Sequence, residues 1–250
     1  MKIIEGYAEA KQALARQVSA GLEDAEREKT VRQIIAEVRQ QGDKALYDLT
    51  EKLDGVELKS LEVPREAIKR AAKGIDADLL AALNLAAERI TAYHEIQKNK
   101  LLHDKTDGGL GWLIRPLERV GVYVPGGTAA YPSTLLMTAI PARVAGVKEV
   151  VVATPPDKTG SLPPLTLAAA HLAGVDRVFS IGGAQAVAAL ALGTETVPRV
   201  DKVCGPGNRY VLLAKKLLYG TAGIDGLYGP SEVVIIADDT ANAAYVAADM

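Results

Sequence analysis

Between residues 26 and 100 the apolar positions recur at helical spacing. Val31, Ile34, Ile35 and Val38 share one face; Leu46, Leu49 and Leu53 follow, then Leu79, Leu80, Leu83, Ala87, Ile90 and Tyr93. Apolar residues three and four apart fall on one side of a helix, so this stretch predicts a series of amphipathic helices. The punctuation agrees: Gly42 ends one helix with Asp43 capping the next, Pro64 stands where a first helical turn tolerates it, and Asp76 caps the long segment beyond. Residues 1–25 read as a separate N-terminal helical arm, rich in alanine and charge.

After His103 the pattern changes. A polar turn holding Asp107, Gly108, Gly109 and Gly111 leads into strand-like residues 112–117 and 120–124. Beyond it, short runs of valine and isoleucine (150–153, 178–181, 202–204 and 233–237) read as strands, and the alanine- and leucine-rich runs between them (133–145, 165–173, 184–192 and 208–218) as helices. Uncharged strands alternating with helices at a repeat of about 25–30 residues imply right-handed crossovers and a parallel sheet covered on both faces. The expected fold is therefore doubly wound α/β.

In such sheets ligands bind beyond the carboxyl ends of the strands. Here those ends carry Val124-Pro125-Gly126-Gly127, Thr154-Pro155-Pro156, Ile181-Gly182-Gly183-Ala184-Gln185 and Cys204-Gly205-Pro206-Gly207-Asn208. Glycine lets the backbone approach a ligand, and the helix that follows offers unpaired N–H groups to a phosphate. Each turn alone is compatible with an ordinary tight connection; three glycine-rich turns on one edge point to a phosphate or dinucleotide site.

Composition narrows the classes. The chain has 250 residues, 48% of them hydrophobic and 24% charged, and a formal net charge of −2, which is ordinary for a globular protein large enough to bury a substantial core. There is no cluster of basic residues interleaved with aromatics, so nucleic acid is not an expected partner. No run approaches the roughly 18 uncharged residues that span a bilayer, and the polar N-terminus does not resemble a signal peptide. A single cysteine, Cys204, fits a reducing, cytoplasmic compartment and reads as a packed small hydrophobe at a strand end.

Neither the Gly-x-Gly-x-x-Gly fingerprint nor a Walker loop is present. His94, His103 and His171 lack metal-ligand spacing. Ser231 and Glu232 immediately precede an expected strand, where polar side chains suggest contact with a ligand.

Several segments taken together carry a resemblance. They are Arg119 through Gly127; Ser133-Thr134-Leu135-Leu136-Met137 with Pro141 through Gly146; Gly182 through Ala186; Val200-Asp201-Lys202 with Gly205-Pro206-Gly207-Asn208; and Gly229-Pro230-Ser231-Glu232. In this order they resemble the histidinol dehydrogenase family, and Tyr93-His94-Glu95 extends the likeness over nearly the whole chain. The resemblance implies a homodimeric enzyme that uses NAD and zinc to oxidise L-histidinol, through L-histidinaldehyde, to L-histidine at the end of histidine biosynthesis. Carried over by position, Tyr123, Gln185 and Asn208 are the NAD-binding residues and Ser231 contacts substrate. The zinc ligands and the acid/base pair fall beyond Met250, so no catalytic or metal-binding residue is expected within this chain, and a chain of these 250 residues is expected to be inactive.

The same resemblance implies a Rossmann-like doubly wound domain over residues 118–230, complete in this chain. Residues 26–117 would be the helical first part of a second, discontinuous Rossmann-like domain, and residues 231–250 its return strand and the start of a helix. Helices deprived of that domain's sheet are expected to expose apolar faces or to associate with another chain. Three other readings compete: a related NAD-dependent dehydrogenase of another small polar alcohol, a non-catalytic nucleotide-binding or dimerisation fragment, and an unrelated sugar-phosphate-binding α/β protein.

Overall fold

The computed structural model describes residues 4–14, 20–126, 129–228 and 233–249. Five helices come first: α1 (Tyr7–Leu14), α2 (Ala20–Gln41), α3 (Asp43–Asp54), α4 (Arg65–Lys73) and α5 (Ala77–Leu101). A small antiparallel hairpin of β1 (Lys105–Asp107) and β2 (Leu110–Trp112) follows. Then strand and helix alternate: β3 (Arg119–Tyr123), α6 (Pro132–Val144), β4 (Glu149–Thr154), α7 (Pro164–Leu172), β5 (Arg177–Ser180), α8 (Gly183–Leu192), β6 (Lys202–Cys204), α9 (Arg209–Leu218) and β7 (Gly223–Ile224). Helix α10 (Ala243–Asp249) closes the described chain. Among the described residues no helix is long and apolar enough to cross a membrane.

Strands β3 to β7 form one parallel sheet in the order β5-β4-β3-β6-β7. The chain winds outward from β3 in one direction through β4 and β5, then returns to lay β6 on the other side of β3. That reversal makes the fold doubly wound and the gap between β3 and β6 its switch point. Side chains alternate across the sheet. Val120, Val122, Val150 and Val152 pack under α6 and α7, while Tyr123, Val151, Ala153 and Phe179 pack under α8 and α9. Both faces are covered, which is why the strands read as continuous apolar runs. Gly121 lets α8 approach β3 closely: a Cβ there would lie 3.1 Å from the methyls of Leu190.

The N-terminal helices form outer layers. Val31, Ile34, Ile35 and Val38 of α2, with Ala45, Leu46 and Leu49 of α3, join the core beneath α8 and α9; Ile68 of α4 and Leu83 of α5 join the opposite one. The apolar stripes of α2 and α3, apart from the exposed Leu53, are therefore buried against the sheet's own helices. Helix α5 leaves Leu79, Leu85, Tyr93, Ile96 and Leu101 exposed. Residues 61–63 lie along the outer edge of β5, where Val63 N–H donates to Val178 O and Ser180 N–H to Leu61 O, both at 2.8 Å. Glu62 secures that contact with a bidentate pair to Arg177 (2.8 and 2.6 Å).

Several local expectations are corrected. Helix α2 begins at Ala20 and runs through Glu26 unbroken. Gly42, with φ +54°, does separate α2 from α3, yet Asp43 is the first residue of α3 and does not cap it. Its carboxylate instead accepts from the hydroxyls of Thr194 and Thr196, tying α3 to the α8–β6 connection. Asp76 caps α5 as expected, accepting from Asp78 N–H and Leu79 N–H. The strand expected over 112–117 stops at Trp112, because Ile114 N–H and the Arg115 side chain turn to the Asp104 carboxylate and Pro116 has no N–H for a ladder. Residues 233–237 form no strand. Val234 and Ile236 are 84% and 96% exposed, and without a neighbouring strand an apolar run has no ladder to join.

Candidate functional site

The carboxyl ends of β3, β4, β5 and β6 and the last turn of α3 enclose a cavity of about 360 Å³. Its walls include Tyr123 from the end of β3, Pro155 after β4, Gln185 from the first turn of α8, Asn208 before α9 and Asp54 from α3. All three residues assigned to NAD from the sequence thus meet in one place, at the switch point. Ser231 lies outside the described residues, as do Gly127 and Glu232. A wider, more open depression of about 660 Å³ sits at the opposite ends of the strands near Arg119, Arg199 and Tyr219, away from the strand-end turns.

Glycines create the cavity by letting the turns close on one another. A Cβ on Gly126 or Gly182 would stand 2.8 or 2.5 Å from the Pro155 ring. Gly205, with φ +112°, passes so near β3 that a Cβ would lie 2.1 Å from the Tyr123 carbonyl oxygen. Only glycine fits these positions without moving backbone or a rigid ring.

Tyr123 is buried, and its hydroxyl accepts a hydrogen bond from Gly183 N–H at 3.1 Å. Burial pushes the phenol pKa up, partly offset by that N–H, and the nearby Asp54 charge pushes it further. The group is therefore a neutral donor at physiological pH. Gln185 is 1% exposed, and its Oε1 has no partner within the protein. Asn208 lines the cavity, and its Oδ1 caps α9 by accepting from Tyr210 N–H and Val211 N–H at 3.0 and 3.1 Å. Helix α8 has no side-chain cap, and Gly183, Ala184 and Gln185 of its first turn line the cavity.

A buried ion pair holds the turn that carries Asn208. Lys215 of α9 donates to Gly205 O at 2.9 Å and pairs with Asp225, whose other carboxylate oxygen accepts from Gly205 N–H at 2.7 Å. Both backbone groups of Gly205 are thereby fixed. Cys204, just before this turn, has its thiol pKa pushed up to about 11, chiefly by burial and then by the Asp225 charge. It remains a protonated thiol at neutral pH, consistent with a packing role.

Sequence reasoning missed Asp54, Lys215 and Asp225. Asp54 is the last residue of α3 and carries no local signal, since it reaches the cavity only through the packing of α3 on the sheet's helices. Asp54 Oδ2 is buried without a partner, and burial pushes its carboxyl pKa up. No three His, Cys, Asp or Glu side chains gather in metal-binding geometry among the described residues.

The topology and the cavity at its switch point define a Rossmann-like doubly wound α/β protein. A sequence profile for histidinol dehydrogenase matches residues 18–250. A histidinol dehydrogenase of Dehalococcoides mccartyi (strain CBDB1) is 54% identical over all of this chain and 60% of its own length. One from Bacillus thuringiensis is 52% identical over 89% of this chain and 52% of its own length. The crystal structure of histidinol dehydrogenase from Elizabethkingia anophelis superposes with a TM-score of 0.81 at 39% identity, covering 88% of this chain and 52% of that one. The chain belongs to the histidinol dehydrogenase family, and it spans between half and 60% of the length of these relatives.

Proposed function

We propose that this chain carries the NAD-binding part of an enzyme that oxidises L-histidinol through L-histidinaldehyde to L-histidine, the last steps of histidine biosynthesis. The observation that supports this reading is the meeting of Tyr123, Gln185 and Asn208 around one cavity at the switch point. Bound there, NAD supplies the hydride acceptor for each of the two oxidations.

The chain's own residues would bind and orient it. The Tyr123 hydroxyl, anchored by Gly183 N–H, keeps its proton for the ligand. The Gln185 amide oxygen, unsatisfied in the protein, gains a partner when the cavity fills. Asn208 donates from its amide nitrogen while its oxygen holds α9 in place. The uncapped first turn of α8 favours the pyrophosphate, which reaches it because Gly182 and Gly183 bring no side chain between.

Zinc is the second group the family resemblance implies. The described residues hold no ligand set that fits it. On the same reading the enzyme is a cytoplasmic homodimer, residues 118–230 are its NAD domain, and residues 26–117 with 231–250 belong to the discontinuous one.

The test is NADH formation from L-histidinol with added zinc, measured for residues 1–250 alone and for a chain extended to the family's full length. Turnover by the longer chain only is expected. Turnover by neither would refute the substrate assignment, and turnover by the shorter would place the catalytic groups within it.

A further inference from the structure

We propose that Asp54 receives the ribose hydroxyls of the bound dinucleotide and so selects NAD over its 2′-phosphorylated form, an inference that depends on the NAD reading above. Three observations converge on it.

The acceptor is present and unused. Asp54 lines the cavity with Tyr123 and Asn208, and its Oδ2 is buried with no hydrogen-bond partner. Gln185 Oε1, on the same cavity, is likewise unpaired. A cavity with two unsatisfied acceptors favours a ligand that brings hydroxyl or amino hydrogens. A phosphate at physiological pH brings charge and acceptor oxygens instead.

The usual source of such an acceptor is already engaged. In dinucleotide-binding sheets a ribose-binding acid follows the strand beside the first one. That strand is β4 here, and it ends in Thr154-Pro155-Pro156. The first acid beyond it, Asp157, has its Oδ1 accepting from Thr159 N–H, the Thr159 hydroxyl and Ser161 N–H. Asp54 reaches the same cavity from another element. Among the described residues lining it there is no Lys or Arg, so a 2′-phosphate would find no counter-charge from them.

The residue also stands where stability alone would not place it. Asp54 is the final residue of α3, before Gly55 at φ +71°. A carboxylate at a helix C-terminus faces the negative end of the macrodipole. Burying one of its oxygens unpaired adds a second cost. That second cost is recovered when a ligand donates to it.

Isothermal titration of the protein, Asp54→Asn and Asp54→Ala with NAD and separately with NADP tests this, with the melting temperature of each unliganded protein as a second readout. NAD affinity is expected to fall about tenfold or more in both variants, the scale of one charge-assisted hydrogen bond. NADP is expected to be refused by the parent and to bind the variants within a few-fold of NAD. Asp54→Asn is expected to melt no lower than the parent. Unchanged NAD affinity with NADP still refused overturns the inference. If Asn208→Ala weakens NAD binding while the Asp54 variants do not, the NAD site stands and the role of Asp54 falls; if the parent binds neither dinucleotide, both fall.

Discussion

Replacing Lys215 by Met probes how the Asn208 turn is held. Lys215 is 3% exposed, and its ammonium donates to Gly205 O and pairs with Asp225. Met keeps the unbranched apolar stem, so lost packing contributes little. What remains is a carbonyl without its donor and a carboxylate without its cation. Removing one partner of a buried pair costs about 3–5 kcal/mol. Asp225 is 27% exposed and keeps the N–H groups of Gly205 and Gly226 as donors, so water and backbone relieve part of the loss. The expected cost is therefore about 3 kcal/mol, or a fall of about 6–12 °C in melting temperature for a chain of this size. Urea denaturation followed by circular dichroism measures it. Adding Asp225→Asn removes the stranded charge while keeping an acceptor, and should recover about 1 kcal/mol. A loss below about 1 kcal/mol in the single variant, or no recovery in the double one, would refute the assignment of the cost to a stranded charge.

Two other groups titrate in ways that can be checked. Because the Cys204 thiol pKa lies near 11 in the fold, alkylation by iodoacetamide at pH 8 should run about tenfold or more slower than in the urea-unfolded chain; equal rates would remove Cys204 from its buried setting. The Arg177 guanidinium holds the Glu62 carboxyl pKa below its ordinary value. A depressed folded pKa means stability present above the unfolded value and lost as pH falls through the folded one. Glu62→Gln should thus cost about 1 kcal/mol at pH 7, allowing for solvent screening, and the gap should close as acid protonates Glu62 in the fold. A gap that persists or widens in acid would contradict the pairing.

The parts of this fold legible in the sequence are those governed by short-range rules. Parallel strands buried on both faces must be apolar runs, so Val150 to Ala153 and Val178 to Phe179 announce themselves. The cap residue Asp76 acts within three residues of its own position. Tyr123, Gln185 and Asn208 stand next to glycine turns whose place on the sheet edge follows from the strand assignments. The remainder depends on distance in the chain. Asp43 looks like a helix cap because its local setting is right, but the hydroxyls that claim it lie about 150 residues away. Strand β7, only Gly223–Ile224, is too short to form a pattern and exists because β6 offers it an edge. Val233 to Ile236 show the reverse case: a strand pattern with no strand beside it. Asp54 joins the cavity through helix packing alone, which a single sequence does not encode at any fixed spacing.

The most direct measurement is an equilibrium titration of NAD into the protein and into its Gln185→Ala and Asn208→Ala variants, with folding verified by circular dichroism. If the cavity at the switch point is the NAD site, each variant should bind more weakly by about 1–3 kcal/mol, the cost of leaving a polar partner unmet. NAD binding that is unchanged in both folded variants would contradict the account at its centre.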